Sequence, residues 1–214
     1  MNVKKLFWEN PYLTEETAIV TSVSSSVVTL DQTVLYAFSG GQESDSGTIG
    51  GFHVISAKKD GLEIKYILPE NHTLKTNDEV KLVLDWNKRY RLMRLHFAAE
   101  LVLETVYQNY RHLKKIGANI AFEKARIDFI SDVNVDNILP DVHKKFKCLL
   151  DKNLEIISSF ADEINEKRTW EIVGYAKVPC GGTHIKRTGE IGEVRLKRKN
   201  IGKGKERIEI YLKD

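Results

Sequence analysis

The spacing of apolar residues changes near Asp85, and this change restricts the chain to a mixed architecture. Before Asp85, short β-like runs alternate with glycine-rich turns. After it, apolar residues recur every three or four positions, which is typical of a long amphipathic helix. The sequence therefore predicts a β-rich domain over residues 1–84, followed by an α+β domain over residues 85–214.

The first part contains several short β-like segments, of which residues 17–28 are rich in Val, Thr and Ser. The glycines that punctuate these segments are Gly40, Gly41, Gly47, Gly50, Gly51 and Gly61. Such segments are typical of short strands joined by tight turns. They cover residues 17–28, 33–38, 53–57, 63–68 and 80–84. A small β-barrel-like domain is the simplest architecture for this pattern.

The second part is predicted to begin with a long helix. Asp85 is a suitable N-cap, and Gly117 a suitable terminator for a helix from Trp86 to about Ile116. Its expected core stripe consists of Leu92, Leu95, Ala99, Val102, Leu103 and Val106. Pro140 marks the first turn of a second helix, over residues 142–166. The remaining segments are predicted strands at 121–130 and 170–178, and a hairpin of 192–199 and 206–212.

Two pairs of side chains have the spacing of metal ligands. His96 and Glu100 lie four residues apart and therefore on one face of the first helix. Cys180 and His184 have the same separation, but the two glycines between them favour a sharp loop. Imidazole, thiolate and carboxylate together suit zinc. Spacing alone also allows His96 to be a packed core residue and Glu100 a solvated or locally paired one.

The C-terminal part of the chain is basic. Residues 185–214 contain ten Lys and Arg against five acids, whereas the whole chain has a net charge of +3. A local basic surface favours binding to phosphates, although it is also typical of a solvated hairpin. The candidate phosphate contacts are Arg187, Lys197, Arg198, Lys199, Lys203 and Lys205.

Cysteine usage and hydropathy indicate a cytoplasmic protein. Cys148 and Cys180 are the only cysteines, and they do not form a Cys-x-x-Cys pair. No apolar stretch has the length that a membrane-spanning helix needs. We therefore expect no disulfide framework and no membrane partner.

Three runs, at residues 5–13, 39–47 and 180–192, together resemble the editing domain that alanyl-tRNA synthetases share with the free-standing AlaX proteins. The run CGGTHIKRTGEIG, residues 180–192, is similar to the family's Cys-x-Gly-Thr-His motif and its continuation. The run SGGQESDSG, residues 39–47, is similar to the family's glycine-rich segment, and KLFWENPYL, residues 5–13, to the start of AlaX proteins. The resemblance covers nearly the whole chain.

The resemblance implies a fold and a function. The fold is α+β: a β-barrel-like domain that carries the glycine-rich loop (Gly40, Gly41, Asp45 and Gly47), followed by a two-layer editing domain. The function is hydrolysis, in trans, of serine or glycine wrongly attached to tRNA(Ala), with Zn²⁺ bound by His96, Glu100, Cys180 and His184. Thr183 and Gln42 are expected to position substrate or water, although a local loop hydrogen bond and an exposed turn are simpler roles for them. The expected partner is mischarged tRNA(Ala), and DNA is not expected to bind.

Two residues depart from the family pattern. Glu100 stands where the family has the second histidine of its helix, and Phe97 stands where it usually has Thr or Ser. Glu100 is either the fourth zinc ligand, which its position favours, or a general base beside a three-ligand site. The same departures leave open a degenerate editing fold that binds tRNA without hydrolysing it.

Overall fold

The computed structural model describes residues 2–131 and 134–213, and the chain divides into two compact units. The first unit extends to Arg91 and the second begins at Leu92. This division falls inside a helix, a few residues after the change of apolar spacing. The domain boundary at residues 84 and 85 stays a prediction.

The first unit is built mainly from strands. Its elements are β1 (Lys4–Lys5), α1 (Leu6–Glu9), β2 (Glu15–Ser24), β3 (Val27–Leu30), β4 (Gln32–Thr33), β5 (Gly47–Ile49), β6 (Phe52–His53), β7 (Ser56–Asp60), β8 (Glu63–Ile67) and β9 (Glu79–Leu84). Seven of them form an antiparallel sheet in the order β6-β5-β9-β2-β3-β8-β7, and β1 pairs with β4 in parallel. The predicted run 17–28 is therefore a hairpin of β2 and β3 rather than one strand.

The long strand β2 explains why the seven-stranded sheet curls. Its first half pairs with β9 and its second half with β3, with a register shift between Val20 and Ser22. A long, bent strand shared by two ladders closes a sheet over its own apolar face. The buried side chains of this unit, including Val20, Tyr66 and Leu82, form one core inside this half-barrel.

Helix α2 (Trp86–Asn109) begins where the sequence predicts and ends earlier. The Asp85 carboxylate accepts a hydrogen bond from the backbone N–H of Lys88 at 3.1 Å, as an N-cap does. The predicted stripe is buried, except for Leu103, which is half-buried. The predicted C-terminus at Ile116 was wrong, because residues 114–120 form strand β10 (Lys114–Ile120) and Gly117 lies at a bulge in it.

The second predicted helix is also shorter than expected. Helix α3 (Leu139–Asp151) has Pro140 in its first turn, as predicted, and follows a short 3-10 turn, Val135–Asn137. The rest of the predicted helix, residues 152–166, contains strand β12 (Ile157–Asp162), which pairs with β13 (Lys167–Ile172). Strand β13 then pairs with β14 (Ala176–Pro179). The predicted strand 170–178 is thus a hairpin that turns at Gly174. Among the described residues, no helix is long and apolar enough to cross a membrane.

A four-stranded antiparallel sheet completes the second unit. Its strands are β10, β11 (Ala125–Ile130), β15 (Val194–Asn200) and β16 (Lys205–Leu212), in the order β10-β11-β16-β15. The predicted C-terminal hairpin is confirmed as β15 and β16. A second 3-10 turn, Thr188–Ile191, precedes it. The chain is therefore an α+β protein, as predicted.

Candidate metal centre

Helix α2 brings the first two candidate ligands together. His96 and Glu100 are one turn apart, and His96 Nε2 lies 3.6 Å from Glu100 Oε1. Nearly every neighbouring position of this stretch of α2 is buried, so the helix lies inside the second unit rather than on its surface. The two side chains are therefore held in a largely water-excluded setting, with His96 only 4% exposed.

The loop after β14 supplies the other two candidates. The backbone N–H of Cys180 donates to the carbonyl oxygen of Arg168 at 2.9 Å, which fixes the start of the loop. Gly182 then lies directly against the His96 ring. A Cβ atom at residue 182 would come within 2.3 Å of His96 Cε1, so a glycine is needed for the loop to approach α2 this closely.

Three donor atoms converge where α2 meets this loop. Cys180 Sγ lies 3.1 Å from His96 Nε2 and 3.3 Å from His184 Nε2, and the three atoms lie within 4.8 Å of one another. Tetrahedral zinc, with bonds of about 2.3 Å to sulfur and about 2.1 Å to nitrogen, separates these atoms by about 3.6 Å. Small side-chain movements would therefore suffice to bind a metal ion of this size.

Glu100 contacts two of these three donors. Its Oε1 lies 3.7 Å from Cys180 Sγ as well as 3.6 Å from His96 Nε2. The three-residue cluster of mutually close donors does not include it. This geometry accommodates Glu100 either as a fourth ligand or as a base at the edge of the site.

Electrostatics favour a cation at this position. Burial lowers the pKa of His96, but the adjacent Cys180 sulfur and Glu100 carboxylate outweigh burial and raise it to about 10. Burial raises the pKa of Glu100, yet the bond and charge of His96 and the Trp170 N–H lower it to about 2. Burial and the charge on His96 lower the pKa of His184, which keeps that ring in the neutral form that binds metals. A bound cation would replace the proton on His96.

Two residues that the sequence analysis missed contact the centre. Ser158 Oγ lies 2.8 Å from His184 Nδ1, and the indole N–H of Trp170 donates to Glu100 Oε2 at 3.0 Å. Both belong to the hairpin of β12 and β13, and half of that hairpin was predicted to be helix. Phe97 packs edge-on against Trp170 and His184, so the departure from the family pattern at this position fills the apolar side of the site.

The remaining predicted residues occupy several places. Thr183 is buried between Gly182 and His184 in the second unit. Gln42 belongs to the first unit, where it is buried in a tight turn and exchanges backbone hydrogen bonds with Ser39. Gly40 and Gly41 have positive φ angles in that turn, and Gly47 lies against the backbone of β9. The other cysteine, Cys148, is exposed on α3 and does not belong to the centre.

The candidate phosphate contacts on β15 lie on different faces of the four-stranded sheet, because side chains alternate along a strand. Lys197 and Lys199 are exposed on the outer face of the four-stranded sheet, and Lys203 and Lys205 are exposed at the turn and at the start of β16. Arg198 lies on the other face, where its Nε donates to Glu206 at 2.6 Å. Arg187 donates to the carbonyl oxygen of Asn153 at 2.7 Å.

Comparisons with known proteins agree with this architecture. Residues 171–209 match the family model of the threonyl and alanyl tRNA synthetase second additional domain. The chain is 32% identical to the alanyl-tRNA editing protein AlaX-M of Pyrococcus horikoshii, over 98% of this chain and 97% of that one. It is 30% identical to the AlaX-M protein of Saccharolobus solfataricus, over 98% and 99%. It is also 32% identical to the alanine–tRNA ligase of Staphylothermus marinus, over 96% of this chain and 25% of the ligase.

The α+β fold, the matched domain and the converging donors define a protein of the synthetase editing-domain class. The relatives that match from end to end are free-standing editing proteins, and the ligase matches over only a quarter of its length. The chain belongs to the AlaX-M family of alanyl-tRNA editing proteins.

Proposed function

We propose that this protein is a trans-editing hydrolase that removes serine or glycine from mischarged tRNA(Ala). The observation that carries the proposal is the end-to-end similarity to free-standing AlaX-M proteins, at 32% identity over 98% of the chain. The convergence of His96, Cys180 and His184 supports it, because it gives this chain a potential hydrolytic centre.

Such an activity meets a physical need. An alanine pocket cannot strongly exclude the smaller glycine, and one added hydroxyl in serine is difficult to reject by binding alone. Hydrolysis at a second site removes the error after transfer to tRNA. Water adds to the ester carbonyl carbon, the bond to the ribose oxygen breaks, and the free amino acid and the tRNA hydroxyl are released.

In this proposal, zinc is held by His96, Cys180 and His184, with Glu100 as the preferred fourth ligand. The donor set fits, since it combines two imidazoles, a thiolate and a carboxylate at near-tetrahedral separations. Zinc bound there would supply Lewis acidity, which makes water more acidic and a carbonyl more electrophilic. If Glu100 is not a ligand, its carboxylate accepts a proton from the attacking water.

Thr183 and Gln42 complete the proposed catalytic set. Thr183 is adjacent to the ligand His184, so its hydroxyl is a candidate to orient the substrate or the water. Gln42 follows Gly40 and Gly41, whose positive φ angles form a tight turn. We assign Gln42 a role in substrate positioning through the family resemblance of this glycine-rich loop.

We propose that tRNA phosphates contact the outer face of the four-stranded sheet. Cations on this face outnumber the anions Asp128 and Glu209: they are Lys124, Arg126, Arg195, Lys197, Lys199, Lys205 and Arg207. Arg195 and Lys197 also lie 5.0 and 5.8 Å from the centre of the Tyr211 ring. Lys203 extends the basic surface into the turn, and Arg187 lies ahead of β15. Arg198 is held by Glu206 and should contribute least.

The deciding experiment measures deacylation of seryl-, glycyl- and alanyl-tRNA(Ala) together with the metal content of the protein. We expect rapid loss of serine, of glycine or of both, slow loss of alanine, and about one zinc per chain. The Cys180→Ala variant should lose both the metal and the turnover. Equal decay of all three substrates with and without the protein would exclude the hydrolase.

A tRNA-binding protein without hydrolytic activity is the alternative, favoured by Glu100 and Phe97 at positions where the family pattern differs. Tight, salt-sensitive tRNA binding in a protein that neither retains zinc nor deacylates any substrate would establish it.

A further inference from the structure

The two members of one cross-strand pair each contact a different ligand candidate. Ser158 on β12 lies directly opposite Trp170 on β13, so both side chains project from the same face of the hairpin. Ser158 contacts His184, and Trp170 contacts Glu100. A single cross-strand pair therefore contacts two different ligand candidates of the centre.

Trp170 fixes the direction of the Glu100 carboxylate. The indole is fully buried and its N–H is only a donor, so Trp170 cannot itself bind a metal. Its hydrogen bond occupies Oε2 and leaves Oε1 facing His96 Nε2 and Cys180 Sγ. Without this bond, rotation about the last side-chain torsion of Glu100 is less restricted.

Ser158 fixes the tautomer and tilt of His184. The His184 Nε2 atom faces Cys180 Sγ at 3.3 Å, and it offers a lone pair to a metal only if Nδ1 carries the proton. The Ser158 hydroxyl, 2.8 Å from Nδ1, accepts that proton's hydrogen bond. Hydrogen bonds of this kind commonly orient histidine ligands in metal sites.

We propose that Ser158 and Trp170 are a pair of positioning residues that set the geometry and affinity of the metal centre through the register of β12 and β13. The inference rests on the metal site of the proposed function. Because side chains alternate along a strand, a shift of one residue would turn either side chain away from its ligand. The next pair along the ladder, Ser159 and Thr169, projects from the opposite face and provides a matched control.

The experiment measures Zn²⁺ affinity by chelator competition and the visible spectrum of the Co²⁺-substituted protein. Trp170→Phe and Ser158→Ala should each weaken Zn²⁺ binding about 10- to 100-fold. Ser158→Thr retains a hydroxyl and should restore most of the affinity, and the control variant Ser159→Ala should bind as the wild type does. Trp170→Phe should shift the ligand-field bands of Co²⁺ while the thiolate-to-metal band from Cys180 persists.

A double-mutant cycle tests whether Trp170 acts through Glu100. On a Glu100→Ala background, Trp170→Phe should cause no further loss of affinity, whereas a general packing role would give an additive loss. If Trp170→Phe lowers the unfolding temperature of the metal-free protein, the comparison of Ser158→Ala with Ser158→Thr decides the matter. If Trp170→Phe and Ser158→Ala both bind Zn²⁺ with wild-type affinity, the proposed positioning role of these two residues is refuted but the metal site is not. A wild-type protein that binds neither Zn²⁺ nor Co²⁺ would overturn the metal site as well.

Discussion

The two units contain buried charged clusters of opposite character. In the first unit, Arg89 and Asp45 form an ion pair whose side chains are both fully buried. Arg89 also donates to the carbonyl oxygens of Pro11 and Val34, and Asp45 accepts the backbone N–H of Tyr36. In the second unit, His96, Cys180 and His184 direct their donor atoms at one another, and His96 Nδ1 has no hydrogen-bond partner among the described residues.

The difference separates a cluster that is satisfied within the fold from one that could bind a metal ion. Complementary charges and carbonyl oxygens satisfy the Arg89 guanidinium from within the fold, so that cluster has no need of a ligand. Around Cys180, one sulfur and two nitrogen atoms that can all bind a metal lie at short distances from one another. Their close approach becomes favourable once a cation binds between them. The first cluster should therefore govern stability, and the second metal binding.

The largest expected effect is on stability and concerns the buried ion pair of Arg89 and Asp45. Asp45→Ala leaves the buried Arg89 charge unpaired, which should lower the unfolding free energy by about 3–5 kcal/mol. Urea denaturation of the metal-free protein measures this loss. The exposed pair Lys147 and Asp151 is the control, because Asp151→Asn at that surface position should cost less than about 1 kcal/mol. Similar losses for the two variants would contradict the assignment of a structural role to the Asp45 pair.

The second prediction concerns the cluster of His96, Cys180 and His184, where a substitution should affect metal binding more than stability. Cys180→Ala removes the donor that lies closest to both imidazoles, so metal affinity should fall by more than about 100-fold, or about 2.7 kcal/mol. The metal-free protein should remain within about 1 kcal/mol of the wild type. Calorimetric titration with Zn²⁺ and thermal unfolding in a chelator measure the two quantities. A Cys180→Ala protein that keeps its metal would refute the role of this thiol.

A third substitution alters the centre without touching a ligand. Gly182→Ala places a methyl group against the His96 ring, well inside van der Waals contact, so the ring or the loop must shift. Metal affinity should fall by about tenfold. Gly181→Ala is the matched control, since a Cβ there meets no atom within 4 Å. Equal affinities of the two alanine variants would show that the close packing of Gly182 does not orient His96.

The smallest effect concerns a cluster that is intermediate between the two. Burial raises the pKa of Asp128, but hydrogen bonds and charges from Arg207 and Arg126 outweigh it and lower the pKa below 3.8. Because the folded pKa lies below the unfolded one, this stabilisation is present above pH 3.8 and is lost as the pH falls through the lower folded value. Asp128→Asn should therefore cost about 1 kcal/mol at pH 7 and less at pH 3. If the difference in unfolding free energy between the wild type and Asp128→Asn instead grew as the pH fell, the proposed stabilisation by the ionised Asp128 would be wrong.

The sequence predicted the type and order of several elements better than it predicted where they end. Apolar spacing located α2, its N-cap Asp85 and the C-terminal hairpin, because these depend on side chains that are close in sequence. It failed after residue 109, where strand pairing with β11 overrides the helical tendency of residues 114–116. It failed again after residue 151, where β12 is stabilised by β13 rather than by its own composition.

The same limit applies to the site. Spacing and the family motif predict His96, Glu100, Cys180 and His184 as ligands. The structure brings three of the donor atoms together and places Glu100 Oε1 3.6 Å from His96 Nε2 and 3.7 Å from Cys180 Sγ. Ser158 and Trp170 reach the centre only through the β12–β13 register, and no local pattern marks them. Trp170 begins the predicted run 170–178 and does lie in strand β13, but the burial of its indole is visible only in the structure.

The position of β12 in its sheet links metal binding to local opening. In the order β12-β13-β14, β12 is an edge strand with one partner, and strands of this kind exchange their amide hydrogens through local fluctuations at low free-energy cost. His184 Nδ1 is hydrogen-bonded to Ser158 on this strand. Each fluctuation that frees β12 would therefore loosen one imidazole, and a bound ion would slow amide exchange along the strand well beyond its own coordination sphere.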